Sequence, residues 1–268
     1  MITRELKLST SGVVQFKLPT DIYSEIMNEY IGTEPNDNLT DTMVPNLAGH
    51  LRSEFSLQNI KPKLWEKFSI FLESLVYEYE DTYGFDTKAT RKVIPEYTGV
   101  SADILDGDNF KPSFQQKIKE MTPNGTEWAI QLDNLWVNYQ KRYEFNPPHT
   151  HSGDYSFVVF MKIPYDTDEF SHFSDLSSCY NDKSGVNSCF NIHRIDPYVK
   201  NTTDHSIRIS KKHEGVGLIF PSETTHSVYP FYTSEDYRIT ISGNLSVVPV
   251  PFGMREEAYK PPSFRNYG

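Results

Sequence analysis

The sequence predicts a mainly β fold with a helical N-terminal region, and two observations carry that reading. Aromatic residues make up 14% of the 268 positions, with 17 Tyr and 17 Phe, and such rings pack well on pleated surfaces. The hydrophobic pattern also changes along the chain, from a three-and-four repeat before about residue 95 to short runs bounded by Gly, Pro, Asn or Asp after it. Regularly spaced short strands of this kind favour a sandwich or a barrel.

The N-terminal elements follow from caps and spacing. Pro19-Thr20-Asp21 is a helix start, with Ile22, Ile26 and Tyr30 at fourfold spacing behind it. After Pro62, the residues Leu64, Phe68, Leu72, Leu75, Val76 and Tyr79 share one face of a long amphipathic helix. Its apolar stripe needs a cover, and the outside of the following sheet is the candidate. Strands are expected at Trp128–Leu132, Leu135–Gln140, Ser156–Ile163, Phe190–Ile195, Ser206–Ser210, Val216–Phe220, Ser227–Phe231 and Tyr237–Val247. The division expected is a mostly helical region over 1–95, a β domain over 96–248 and an irregular tail over 249–268 that holds four prolines. Tyr165–Asn191, rich in Asp and Ser, reads as a polar surface insertion of the kind that carries substrate contacts.

Charge narrows the partners. A formal net charge of −10 works against non-specific nucleic-acid binding, which draws on clustered Lys and Arg. The expected substrate is a small molecule, a peptide or a protein. Mean hydropathy is −0.54, no apolar run approaches the roughly 18 residues needed to cross a bilayer, and the first residues lack a signal-peptide core. A cytoplasmic address without membrane contact is the expectation. Cys179 and Cys189 flank a polar loop-like stretch; two free thiols or a local disulfide both fit, and a zinc site does not, for want of ligands.

Chemistry concentrates in three places. His149 and His151 stand two apart in Asn146-Pro-Pro-His-Thr-His-Ser-Gly-Asp154, directly before a hydrophobic strand. Residues two apart in an extended chain project to one side, so both rings can reach one metal ion, on a segment stiffened by the prolines. Asp154 offers a carboxylate as an alternative to His151, although its odd spacing sends it to the other face unless a bulge re-aims it. His226 follows Pro221-Ser222 at the start of another strand. Arg238 and Thr240 share one side of a third strand, where a guanidinium beside a hydroxyl suits a carboxylate. Each motif alone also has a plain reading, as loop decoration or as an exposed, satisfied strand residue. His193 and His205 lie on or beside predicted strands, and His50, His172 and His213 follow no pattern.

Taken in order, WVNYQKRYEFNPPHTHSGDYSFVVFMKIP, GVGLIFPSETTHSVYP and YRITISGN resemble the Fe(II)- and 2-oxoglutarate-dependent oxygenase superfamily, in particular its small bacterial and phage-encoded branch with an HxH first motif. The resemblance spans roughly Leu135 to Asn244. It implies a double-stranded β-helix, the cupin-like jelly roll, with His149 and His226 as iron ligands. It also implies Arg238 and Thr240 at the far carboxylate of 2-oxoglutarate, and Tyr139 and Tyr143 near the cosubstrate. His151 stands where most members have Asp or Glu. The implied activity is hydroxylation of a C–H bond with conversion of 2-oxoglutarate to succinate and CO2; desaturation and halogenation stay open. A three-histidine cupin-like dioxygenase without 2-oxoglutarate, and a non-enzymatic jelly-roll binding or virion module, are the alternatives.

Overall fold

The computed structural model describes residues 4–6, 12–36, 39, 49–83, 126–172, 186–196 and 201–266. These hold eleven strands: β1 (Arg4–Leu6), β2 (Val13–Lys17), β3 (Glu54–Ser56), β4 (Thr126–Gln140), β5 (Asn146–His149), β6 (Tyr155–Lys162), β7 (Phe190–Asp196), β8 (Asn201–Ile207), β9 (Val216–Pro221), β10 (His226–Val228) and β11 (Arg238–Pro251). Helix α1 is Thr20–Ile26, continued by a π-helical turn over Met27–Ile31, and α2 is Pro62–Tyr83. No helix among the described residues is long and apolar enough to cross a membrane.

The strands form a seven-stranded sheet, in the order β1-β2-β9-β6-β11-β4-β3, and a four-stranded sheet, β5-β10-β7-β8. From β4 to β11 the chain passes back and forth between the sheets, which is the winding of a double-stranded β-helix. Strand β6 has β9 on one side and β11 on the other, and its first seven residues are buried, as a continuous apolar run requires. Val158, Phe160, Phe190, Ile192, Leu218, Phe220 and Phe231 form a shared core.

By internal contacts the chain divides into one unit of residues 1–59 with 134–244, and a second of 60–133 with 245–268; β4 and β11 contribute to both. In the first unit the N-terminal segment carries strands as well as α1. In the second, the predicted stripe of α2 is buried from Leu64 to Tyr79. Glu73 on this helix accepts from Arg255 Nη2 at 2.6 Å, Tyr259 Oη at 2.7 Å and the Ile130 amide at 3.4 Å. The tail is therefore more ordered than its prolines suggest, with β11 running to Pro251 and short 3-10 turns at Arg255–Tyr259 and Pro262–Phe264.

Local departures from the expected strands have local causes. Asp133-Asn134 reads as a break, yet β4 runs straight through it, because Asn134 Oδ1 accepts the Asn244 amide at 3.1 Å and Asp133 takes the Ser246 hydroxyl. Asn146-Pro-Pro-His149 is itself a strand; it lies at the edge of the smaller sheet, where a proline's missing N–H is tolerated. Strand β8 covers Asn201–Ile207 and stops short of Ser210, which caps the 3-10 turn Lys211–His213. Cys189 is a buried free thiol; Cys179 and the middle of the Tyr165–Asn191 insertion lie outside the described residues.

Gly215 and Gly217 play different parts. Gly215 has φ +73°, while Gly217 lies within β9, where an added Cβ would stand 2.2 Å from the ring of Phe16 on β2. Gly217→Ala should therefore destabilise the protein by about 1–3 kcal/mol, as overpacking does, read as a lower midpoint in urea. Shortening the ring in Phe16→Leu should remove much of that penalty when the two changes are combined.

Candidate functional site

The smaller sheet brings two of the three histidines together by register. Strand β10 lies between β5 and β7, so that His226 is paired with His149 on one side and with Ile192 on the other. His151 lies just past β5, its amide bonded to Ser222 O at 2.9 Å. One ring nitrogen from each of His149, His151 and His226 lies within 4.8 Å of the others. Asp154 is not in this group and is exposed.

Hydrogen bonds orient two of these rings. His149 Nδ1 is 2.7 Å from Pro147 O, and His226 Nδ1 is 2.8 Å from Thr224 O. A carbonyl can only accept, so each Nδ1 carries the proton and each Nε2 keeps its lone pair, the usual outer support of a metal-ligating imidazole. The His151 ring packs against Trp136, with centroids 5.6 Å apart. Burial lowers all three basicities, His226 to about 3 and His151 to about 4, with repulsion from His149 adding in both. The cluster is thus a set of neutral imidazole donors at neutral pH.

A cavity extends from this cluster along β4. Its inward residues Trp136, Asn138 and Gln140 line it together with Arg238, Thr240 and Ser242 of β11. Trp136 packs on His151 and Gln140 bonds Arg238, four residues apart on β4, which is about 13 Å of strand. Arg238 is 2% exposed. Its Nε and Nη2 donate to Gln140 Oε1 at 3.0 and 2.6 Å, Nη1 to Tyr165 Oη at 2.7 Å and Ser188 O at 3.2 Å, and Nη2 also to Tyr229 O at 2.9 Å. Every one of these acceptors is neutral. The guanidinium is fully hydrogen-bonded, and among the described residues none of its hydrogen-bond partners is a carboxylate.

Comparison with known proteins meets this geometry. The family model described as "Putative 2OG-Fe(II) oxygenase" matches residues 134–244, the second segment of the first unit. Over residues 134–244 the chain is thus similar to the 2OG-Fe(II) oxygenases. The family's cofactors are Fe(II) and 2-oxoglutarate, and its members are oxidoreductases. No curated protein matches the chain. Among solved structures, the chain is similar to a Pseudomonas putida prolyl-4-hydroxylase at 10% identity and TM-score 0.46, over 89% of this chain and 94% of that one. It is also similar to a Burkholderia pseudomallei oxidoreductase of the 2OG-Fe(II) oxygenase family at 13% identity and TM-score 0.30, over 52% and 53%. A viral collagen prolyl hydroxylase from Paramecium Bursaria Chlorella virus-1, in truncated form, is similar at 10% identity and TM-score 0.26, over 82% and 100%.

The donor set of these residues fits those cofactors. Neutral imidazoles with oriented lone pairs suit a first-row divalent ion, and an uncompensated buried guanidinium suits a carboxylate. Thr240 joins Arg238 in lining the cavity and accepts from Asn138 Nδ2 at 3.3 Å. The two tyrosines are placed elsewhere. Tyr139 is fully buried outside the cavity lining, its hydroxyl donating to Ile31 O at 2.5 Å, while Tyr143 is 58% exposed and packs on Tyr232. The two-residue period that turns Trp136, Asn138 and Gln140 inward sends Tyr139 to the opposite face. His193 bridges Asp204 Oδ1 at 2.7 Å and Ser227 Oγ at 2.8 Å and does not line the cavity.

Gln140, Tyr165 and Ser188 are functional neighbours that local pattern does not announce. Tyr165 and Ser188 belong to the ends of the polar insertion, and both are buried. Glu169, fully buried in the same segment, accepts the amides of Tyr232 and Thr233 and the Thr233 hydroxyl, from 2.7 to 3.2 Å. The ends of this insertion are therefore interior, not surface loop.

Glu54 also lines the cavity. Burial first, and then the charge of Glu144, raises its carboxyl to about 7. A carboxyl raised on folding binds its proton more tightly in the folded protein, so stability falls as pH climbs from about 4.5 to about 7. Glu54→Gln should remove that loss: its stability relative to the parent, from urea unfolding of the metal-free protein, should rise across this window and level off above it. A constant difference between pH 4.5 and 8 would contradict the assignment.

Proposed function

We propose that this chain is an Fe(II)- and 2-oxoglutarate-dependent oxygenase that hydroxylates a C–H bond of a small-molecule, peptide or protein substrate. His149, His151 and His226 are the metal ligands, and Arg238 with Thr240 takes the distal carboxylate of 2-oxoglutarate. The observation that carries this reading is the Arg238 guanidinium, buried among neutral acceptors at one end of a cavity whose other end holds three neutral imidazoles.

Bound together, Fe(II) and 2-oxoglutarate would supply the oxidising chemistry, in which the substrate C–H, dioxygen and 2-oxoglutarate give the hydroxylated product, succinate and CO2, one oxygen atom going to the product and one to succinate. The chain's part is placement. The carbonyls of Pro147 and Thr224 hold two imidazoles in the ligating tautomer. Gln140 Oε1 occupies the fork of Arg238, and a carboxylate would take its place with a second oxygen and a full negative charge, making a bidentate pair. Phe190 and Phe220 flank His226 at ring-centroid distances of 5.2 and 4.9 Å, which excludes water behind the metal position.

The third imidazole favours one rival, a three-histidine dioxygenase that does without 2-oxoglutarate. Such an enzyme gives Arg238 no task, so Arg238 separates the two. His149→Ala and His226→Ala should each abolish stoichiometric metal uptake. Arg238→Met should raise the dissociation constant of 2-oxoglutarate at least tenfold, on the order of the 2–5 kcal/mol lost when one partner of a buried charge pair is truncated, with metal affinity unchanged. Arg238→Lys should recover only part of the loss. Calorimetry with Mn(II) in place of Fe(II) measures all of these, and equal 2-oxoglutarate affinity in the parent and Arg238→Met favours the rival.

A further inference from the structure

One wall of the cavity carries oxygen acceptors that neither cofactor uses. Asn138, 7% exposed, commits its Nδ2 to Thr240, and its Oδ1 is buried without a hydrogen-bond partner among the described residues. Asn146 Oδ1, from the edge strand β5, is buried in the same condition. Between them stands Glu54, 1% exposed, paired with Asn138 in the register of β3 on β4. A Cβ on Gly49 would stand 2.7 Å from Asn146 Oδ1 and 3.3 Å from Glu54 Oε1, so both oxygens crowd the same glycine and lie close to each other. All of these residues line the cavity that also holds the three histidines.

Acceptors call for donors, and 2-oxoglutarate has none to give: its two carboxylates and its ketone only accept. Arg238 cannot serve this wall either, because its donors are all committed to Gln140, Tyr165, Ser188 and Tyr229. We infer that Glu54, Asn138 and Asn146 form the subsite that anchors the substrate, and that the group they take is a cationic N–H donor such as an alkylammonium. This rests on the reading that 2-oxoglutarate fills the Arg238 end. A neutral amide would satisfy the two carboxamide oxygens; a cation also meets the carboxylate of Glu54. The formal net charge of −10 draws cations toward the protein at long range. The subsite thus selects by charge before the apolar walls select by shape.

The test uses the full chain loaded with Mn(II) and 2-oxoglutarate, oxygen excluded, and titrated by calorimetry with a panel of amino-acid methyl esters and their N-acetylated counterparts. The esters carry an ammonium; the acetylated forms keep an N–H without the charge. The ammonium esters should bind at least tenfold more tightly than their acetylated partners. Glu54→Gln should erase that preference, Gly49→Ala should weaken the esters by pushing Asn146 Oδ1 and Glu54 Oε1 out of place, and Asn146→Asp should tighten them threefold or more. Where Glu54→Gln fails to fold, Asn146→Asp decides. Equal binding of the two sets, no binding of either, or an unchanged preference in the folded variants overturns the inference. The heat of 2-oxoglutarate binding, recorded first in the same samples, separates the outcomes: its absence in the parent protein overturns the cosubstrate reading and this inference with it.

Discussion

A guanidinium taken out of water costs several kcal/mol unless its donors are met and its charge is balanced. Arg238 has the first condition without the second. Four distant pieces of chain close on it: Gln140 from β4, Tyr165 and Ser188 from the two ends of the insertion, and Tyr229 after β10. Much of the domain's local geometry serves this convergence. Glu169 fixes the turn at Tyr232 and Thr233, and Asn187 Nδ2 bonds back to Glu169 O at 3.2 Å, which holds the Ser188 carbonyl in place. On the proposed reading, a positive charge met only by neutral acceptors gives an incoming dianion its reason to bind.

The other end of the cavity obeys the opposite rule, with neutral groups where charge will arrive. Three imidazoles in place of two and a carboxylate leave a bound divalent ion with its full double charge, rather than one unit less. On the proposed reading the site then depends more on an anionic cosubstrate to lower that charge, which would make Arg238 and the histidines parts of one electrostatic arrangement. Edge placement of β5 makes it possible, since only an edge strand can carry Pro147 and Pro148 and still pair His149 with His226.

Much of this was legible in the sequence. The alternation in Tyr237-Arg-Ile-Thr-Ile-Ser242 places Arg238 and Thr240 on one face, and the HxH spacing with His226 points to the three-histidine cluster, because strand period and residue chemistry are local properties. The apolar stripe of α2 was readable for the same reason. What escaped depends on contacts across long stretches of chain. Gln140 meets Arg238 over 98 positions and Tyr165 meets it over 73, and nothing in the neighbourhood of either announces the meeting. Composition made Tyr165–Asn191 look like surface, but Glu169 is buried because three donors from one turn satisfy its carboxylate. Tyr139 is the instructive case, since the period that points Asn138 and Gln140 inward already excluded it.

The account is tested most directly by a crystal structure of the complex with Mn(II) and 2-oxoglutarate, grown without oxygen. It predicts the ion on the Nε2 atoms of His149 and His226 and on a ring nitrogen of His151, with the distal carboxylate on Nε and Nη2 of Arg238 and Gln140 turned away. A Gln140 carbonyl still seated on Arg238, with 2-oxoglutarate absent or bound elsewhere, would contradict it.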